Sequence, residues 1–261
     1  NGSYHDTISV FKKNKMPFAS YGKVSIYKTN GKKIGMIAVN GLEGVSSSKH
    51  YIKSGIQKLK KKKADLIIVS MHAGIEKTSS LDAIQKSIAH YAVKQGANLV
   101  LGHHPHVLQG IEKYKGAYIV YSLANFCFGG NTNPPDKDTM IYQQTFTIDA
   151  DGVKKDNVTN IIPCSISSAA YDGYNNYQPT PAEGDEATRI LGKINERSSW
   201  ISTAEGSTFT AKYNSNNDSQ SSSADTAASD SDIVDMNSSA SDDTDAETYG
   251  ESYDTDNSDA E

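Results

Sequence analysis

Cysteine is nearly absent: Cys127 and Cys164 are the only two in 261 residues. Two are too few for a disulfide scaffold, and their spacing is not that of a metal-binding cysteine pair. One bridge or two thiols is open on this count, with two buried thiols the expected outcome. Tryptophan occurs once, and apolar runs are short, the longest lying near Leu66–Met71. No stretch is long and apolar enough to cross a membrane as a helix. No basic-then-apolar leader stands at the start. The chain opens at Asn1, inside what reads as a helix, so it is expected to be a piece of a longer protein. Those two absences therefore say little about the parent.

Basic side chains are missing from the last sixty residues. Between 202 and 261 there are 15 acidic residues and one basic, Lys212, a net charge of −14. Residues 1–201 keep 25 basic and 16 acidic groups, or +9, so the overall −5 describes neither part. The last stretch holds 14 Ser, and Phe209, Ile233 and Val234 are its only Ile, Leu, Val, Phe or Trp. It cannot bury enough apolar surface to offset the entropy of ordering it. The expectation is a disordered acidic tail over 202–261, without packed contacts, behind a domain over 1–201 long enough for a sizeable core.

Within that domain, residues 5–14 have helical spacing and a Lys-rich end. Lys23–Tyr27 and Lys33–Val39 read as strands, and Asn30-Gly31 between them is a strong hairpin signal. Ser46–Lys63 predicts a helix with Ile52, Ile56 and Leu59 on one face. The run Lys60–Lys63 complements the dipole at its C-terminal end. A solvated helix end is the plainer reading of that run, and a polyanion-binding patch the other. Asp65–Met71 is a continuous apolar strand, Leu81–Gln95 a helix stopped by Gly96, and Asn98–Leu101 another apolar strand. This alternation suggests a parallel sheet covered on both faces. Three strand-like runs follow, Ala117–Phe128, Met140–Ile148 and Val158–Ser165. Asp151-Gly152 is a turn, Pro179, Pro181 and Gly184 mark a loop, and a last helix is expected over 185–198.

Four of the seven histidines fall at the ends of the two apolar strands. His72 follows Leu66–Met71, and His103, His104 and His106 follow Asn98–Leu101. In an open parallel sheet, ligands bind beyond the carboxyl ends of the strands. Gly102 permits a sharp turn or close approach. Pro105 is expected to hold His104 extended, so that His104 and His106 project to the same side. Neutral imidazoles suit Zn, Mn, Fe and similar ions. His72, His104 and His106 are therefore candidate metal ligands. His103 is a weaker fourth, because it would point elsewhere. His5, His50 and His90 read as packing or surface residues.

The segments VSMHAGIE and GANLVLGHHPHVLQGIEKYKGAYIVYSLANFCFGG carry a resemblance. With the Pro-Thr-Pro stretch before the last helix, residues 1–200 resemble the CapA family of poly-gamma-glutamate capsule synthesis, within the calcineurin-like metallophosphoesterase superfamily. The resemblance implies the C-terminal half of a calcineurin-like α/β sandwich. It implies divalent metal ions (Mn, Zn or Fe), two in the full-length protein, with His72 matching the single strand-end His and His104 and His106 the paired ones. Asn125 and Glu76 would stand near the site. For Asn125 a substrate or positioning role competes with a turn-stabilising amide; for Glu76 a surface or supporting role is favoured. The family commonly has Trp where Ala73 stands and Gly where Ala124 stands, and loss of the Trp is expected to open or reshape the site wall. The superfamily's upstream acidic ligands have no counterpart here.

The implied partners are an anionic polymer such as poly-gamma-glutamate or a phosphoester substrate, and capsule synthase membrane proteins; no nucleic acid is expected. The implied location is extracellular or cell surface, anchored through a segment before residue 1. Whether the protein hydrolyses an ester, handles the polymer or scaffolds a synthase stays open. If it is an enzyme, it is a metal-dependent hydrolase. The reading from another class is a non-catalytic module that holds an anionic polymer on its basic face.

Overall fold

A computed structural model describes residues 2–20, 22–154, 158–169, 173–201 and 209–214. Helix α1 (Gly2–Lys13) leads to a hairpin of β1 (Ser25–Thr29) and β2 (Lys32–Asn40). Asn30 and Gly31 have φ of 48° and 71°, so both take the left-handed conformations that a two-residue hairpin turn requires. Helix α2 (Val45–Lys61), β3 (Leu66–His72), α3 (Ala83–Gln95) and β4 (Leu99–His103) follow as the expected alternation. Asp82 caps α3 by accepting a bond from the Gln85 amide, and Gly96 stops it with φ 116°.

The main sheet has six strands in the order β1-β2-β3-β4-β6-β5, where β5 is Ile111–Tyr114 and β6 is Ala117–Val120. Strands β2, β3, β4 and β6 are parallel, and the two edges are antiparallel. Alternation along β2 and β3 sends Ile37, Val39, Ile67, Val69 and Met71 to one face, against Ile52, Ile56, Leu59 and Ile88 of α2 and α3. The opposite face is covered only in part. A second sheet, in the order β11-β10-β7, packs with α4 (Gly184–Ser199) into a second core. Its strands are β7 (Asp138–Thr145), β10 (Val158–Ser165) and β11 (Thr180–Pro181), with a small hairpin of β8 (Ile148–Asp149) and β9 (Gly152–Val153) between. Leu101, Val120 and Tyr118 of the main sheet reach this second core, while Met36 of β2 stays 37% exposed. The expected sheet covered on both faces is thus covered by α2 and α3 on one face and, in part, by α4 and a second sheet on the other.

The expected strand over Ala117–Phe128 ends at Val120. β6 pairs back onto β5, a strand the apolar pattern does not single out, and the chain then leaves the sheet toward the histidines. Neither cysteine is bridged; Cys164 is buried as expected, but Cys127 is exposed in that departing loop. Among the described residues no helix is long and apolar enough to cross a membrane.

Two features fix α4. Its buried face is Ala187, Ile190, Ile194 and Ser198. Its polar side reaches Asp138, whose side chain is fully buried. Arg189 donates two bonds to Asp138, at 2.8 and 2.6 Å, and Lys193 pairs with Asp138 and with Asp136 at 3.2 Å. Burial alone would push the Asp138 carboxyl up, but hydrogen bonds and charge from Arg189 and Lys193 outweigh it and hold the group below its ordinary range.

The domain does not stop at residue 201. Phe209 is 8% exposed and meets Tyr118 edge-on, with ring centroids 5.6 Å apart. The Ile161 amide of β10 donates to Lys212 O, the Asn214 amide to Asn160 Oδ1, and the Ala211 amide to Asn195 Oδ1. Residues 209–214 therefore line the edge of β10 and fill the second core, which corrects the expected tail boundary. The rest of the expected tail lies outside the described residues.

Phe209→Ala is expected to lower unfolding stability by about 3 kcal/mol, read by equilibrium urea unfolding. A loss within about 0.5 kcal/mol, the size of an ordinary surface change, would mean that the segment does not belong to the core. Asp138→Asn leaves two cations facing a neutral amide, and about 3 kcal/mol should be lost. Because the folded pKa lies below the unfolded one, the stabilisation from Asp138 is present above about pH 4 and disappears as pH falls through the lower folded value. An acid titration of stability should be steeper for the native chain than for Asp138→Asn. Parallel curves would refute the assignment.

Candidate functional site

The site forms where β3 and β4 end side by side. Parallel register puts His72 opposite His103, and Asn40 of β2 opposite His72. The chain must then pass β6 closely. A Cβ built on Gly102 would lie 1.9 Å from Tyr121 O, so only glycine fits there. The Leu123 amide donates to Gly102 O at 3.1 Å and closes the contact.

Beyond His103 the backbone is not extended. His104 has φ 103° and His106 φ 59°, both in the left-handed region that side chains rarely adopt. The preference that Pro105 imposes on its predecessor is overridden by a bend. Positive φ at two non-glycine residues costs on the order of 1–3 kcal/mol each, and such strain clusters at functional sites. The bend is held by the neighbouring loop. The Ala73 amide donates to His103 O at 3.1 Å, and the Lys77 amide to Pro105 O at 2.7 Å. Gln109, fully buried, donates to Thr78 O and Ser80 O and accepts from Gln85, anchoring the same loop to α3.

These restraints gather the candidates. The His72 and His104 rings are 4.6 Å apart between centroids, and those of His104 and His106 are 6.2 Å apart. Ligand atoms of Glu76, His104 and His106 lie within 4.8 Å of one another, with Glu76 exposed and the two histidines half-buried. His103 is in register with His72 but outside this group. Glu76, favoured from sequence as a surface or supporting residue, is exposed and brings its carboxylate to this set. His72 is exposed at its strand end. Local desolvation, ahead of the charges of His104, His103 and His106, lowers its pKa, while Glu76 pulls the other way. Burial lowers His103. Both effects favour neutral imidazole, the form that binds metals.

Asn125 orients His106. Its Nδ2 donates to His106 O at 3.3 Å, which leaves Oδ1 to accept from His106 Nδ1 at 2.7 Å. In the neutral ring this places the proton on Nδ1 and the lone pair on Nε2. This is the way metal-binding histidines are ordinarily set by an outer partner. The preceding Ala124, at the position where the family commonly has Gly, has φ 63°. Its methyl packs on the second core, which offsets the strained conformation. Ala73 is not a site wall. It is 1% exposed and faces the first core, where a Cβ on Gly41 would come within 2.5 Å of it. His90, given no site role, stacks on Tyr114 at 3.8 Å and bonds buried Glu112 at 2.9 Å. His5 and His50 lie exposed on α1 and α2.

A donor set of two imidazole nitrogens and one carboxylate oxygen fits a single divalent ion of the Zn, Fe or Mn type. Among the described residues it is the one group of three or more such donors close enough to share an ion. A second ion would need further acidic donors.

The two-sheet α/β architecture, with histidines at the carboxyl ends of adjacent parallel strands, defines a metallophosphoesterase-like domain. Residues 4–130 match the family described as "Bacterial capsule synthesis protein PGA_cap". Over that region the chain is similar to capsule synthesis proteins of the CapA type. It is 32% identical over 142 residues to "PGA biosynthesis protein CapA" of Bacillus subtilis (strain 168), covering 47% of this chain and 37% of that protein. It is 42% identical over 84 residues to "Capsule biosynthesis protein CapA" of Bacillus anthracis, covering 32% and 20%. The chain thus spans well under half the length of these relatives. A solved structure of a hypothetical protein from Thermus thermophilus matches 54% of this chain and 61% of that one at a TM-score of 0.36 and 14% identity, too distant to bear on the site.

Gly102→Ala is expected to cost about 3 kcal/mol or more by forcing β4 away from β6, measured by thermal or urea unfolding. A loss of less than about 1 kcal/mol, below the usual range for overpacking, would show that the close approach is not required.

Proposed function

We propose that this chain is the metal-binding part of a protein of poly-gamma-glutamate capsule biosynthesis, with one divalent ion (Zn, Mn or Fe) held by Glu76, His104 and His106 and with His72 beside it. The observation that carries the reading is the convergence of those three ligand atoms at the strand ends. The printed names of the two relatives support the pathway. When bound, the ion supplies Lewis acidity toward an anionic oxygen. The chain's own residues do the rest. Asn125 holds the His106 proton on Nδ1. Glu76 brings the one negative charge of the set. His72 offers a neutral imidazole next to His104. The substrate class is a phosphoester or the acidic polymer itself, and the place of action is the cell surface, with capsule synthase membrane proteins as partners. A second ion in the full-length protein requires acidic donors beyond this set.

The competing reading, a non-catalytic module for an anionic polymer, rests on the +9 of residues 1–201 and on exposed Lys61, Lys62 and Lys63. Several neighbouring lysines are occupied in the fold. Lys58 donates to Gly22 O, Lys60 to Gln95 O and Lys33 to Lys62 O, at 3.2, 2.9 and 3.1 Å. They tie α2 to its neighbours.

The test is metal analysis and Mn or Zn titration of the purified protein, followed by turnover of a generic phosphodiester. His104→Ala and Glu76→Gln should each weaken metal binding by about 100-fold or more and abolish metal-dependent turnover. Binding without loss in either variant would overturn the site. Absence of metal binding, with salt-sensitive polyglutamate binding retained, would establish the module instead.

A further inference from the structure

His106 has a second support that the sequence does not hint at. The loop leaving Asn125 folds back so that the Phe128 ring lies 5.7 Å from the His106 ring at an angle of 47°. Asn125 thus holds one side of the imidazole and Phe128 walls another. A Cβ at Gly130 would lie 3.0 Å from the Phe128 ring, so glycine there eases the fold of the ring.

What fixes the loop lies far downstream in the chain. Asn175 is 4% exposed, and its bonds converge on the Phe128 loop. Its Nδ2 donates to Phe128 O at 2.9 Å and to Asn131 O at 3.3 Å. Its backbone amide donates to Thr132 O at 2.8 Å. Its Oδ1 accepts from the Tyr177 amide at 2.8 Å, so the amide group cannot flip without losing all three side-chain bonds. The stretch around it is braced in turn. Ser167 Oγ donates to Asn176 Oδ1 at 2.9 Å, and the Ser168 amide donates to the same oxygen at 3.0 Å. A buried amide satisfied at both its nitrogen and its oxygen is a rigid connector. Here it joins the stretch after β10 to the loop that covers His106.

We propose that Asn175 is a positioning residue of the metal site, acting through Phe128 on the imidazole of His106. This rests on the reading of His106 as a ligand. Without the Asn175 amide, two carbonyls of the 128–131 loop lose their donor, the loop loosens, and Phe128 leaves the His106 ring. His106 sits at a strained φ, so it relaxes when a wall is removed. The effect falls on metal affinity and on the ring environment of His106.

The experiment uses the whole chain and Co(II) as the probe, with Asn175→Ala, Phe128→Ala and the double variant. Outer-partner changes typically cost about 10- to 100-fold in metal affinity. Asn175→Ala and Phe128→Ala should each lower Co(II) affinity about 10-fold, and the double variant should lose little more than either alone, because both act on one path. Multiplying losses, or an Asn175→Ala chain that melts earlier but binds Co(II) as the native chain does, would overturn the proposal. A second readout needs no metal. The His106 ring resonances, assigned with His106→Gln, should shift in the metal-free protein on Phe128→Ala and shift the same way on Asn175→Ala. If the native chain binds no Co(II), the ligand reading fails, and these shifts alone decide whether Asn175 positions the ring. If Asn175→Ala does not fold, Asn175→Ser, a milder removal of the same donor, takes its place in both measurements. Unmoved His106 resonances in Phe128→Ala would refute the path.

Discussion

Everything at the site depends on the parallel pairing of β3 with β4. That register puts His72 level with His103 and starts two loops from the same height. Each loop then stitches to the other through the backbone, Ala73 to His103 and Lys77 to Pro105. The pairing is itself set by burial. Ile67, Val69 and Met71 must all face α2 and α3, and a one-residue slip would turn them away and turn His72 into the core. The apolar alternation of one strand thus decides where a polar ligand stands. The close passage of Gly102 beside Tyr121 fixes the same level from the other neighbour, β6.

Much of this is legible in the sequence. Strands over 65–71 and 98–101, the helices between and around them, and the Asn-Gly hairpin follow from periods of two and 3.6 and from caps with known chemistry. So does the placing of four histidines at strand ends. The misses have physical causes. The run 117–128 is apolar enough for one strand, but the β5–β6 return makes it a short strand and an exit loop. Pro105 predicts an extended His104, yet backbone bonds from the facing loop force a left-handed bend, and tertiary contact outweighs a local preference. Glu76 has little signal in sequence, because an acidic residue four positions from a histidine has no fixed place until the loop is folded. Phe209 is hidden by its surroundings: one ring in a stretch of Ser, Asp and Asn does not raise average hydrophobicity, but it fills a hole in the second core.

Polar groups inside the fold do much of the positioning. Glu112 is fully buried and is answered by His90 at 2.9 Å and the Tyr121 hydroxyl at 2.6 Å. Burial pushes the Tyr121 phenol up, and the Glu112 charge pushes it further. Gln85 and Gln109 link α3, the Glu76 loop and the Tyr121 carbonyl. Buried polar groups that are hydrogen-bonded specify one arrangement, since any other leaves them unpaired. The strained histidines are sustained by this frame, as strain persists only where the surroundings over-determine it.

The charge of the proposed site follows from its donors. A divalent ion with two neutral imidazoles and one carboxylate keeps a net positive charge. The other imidazoles close by, His72 and His103, are depressed in basicity and add no cation. In such a site the residual charge is neutralised by an anionic oxygen of the ligand. A phosphoester and a polyglutamate carboxylate both supply it. They differ in what surrounds that oxygen, because a phosphoryl group presents further charged oxygens and a side-chain carboxylate presents methylenes. Phe128 against His106 gives the site an apolar flank. Such a flank gains nothing from extra charge and gains from buried methylene. Under the proposed function, such a flank would suit a carboxylate carried on an aliphatic stem better than a phosphoryl group.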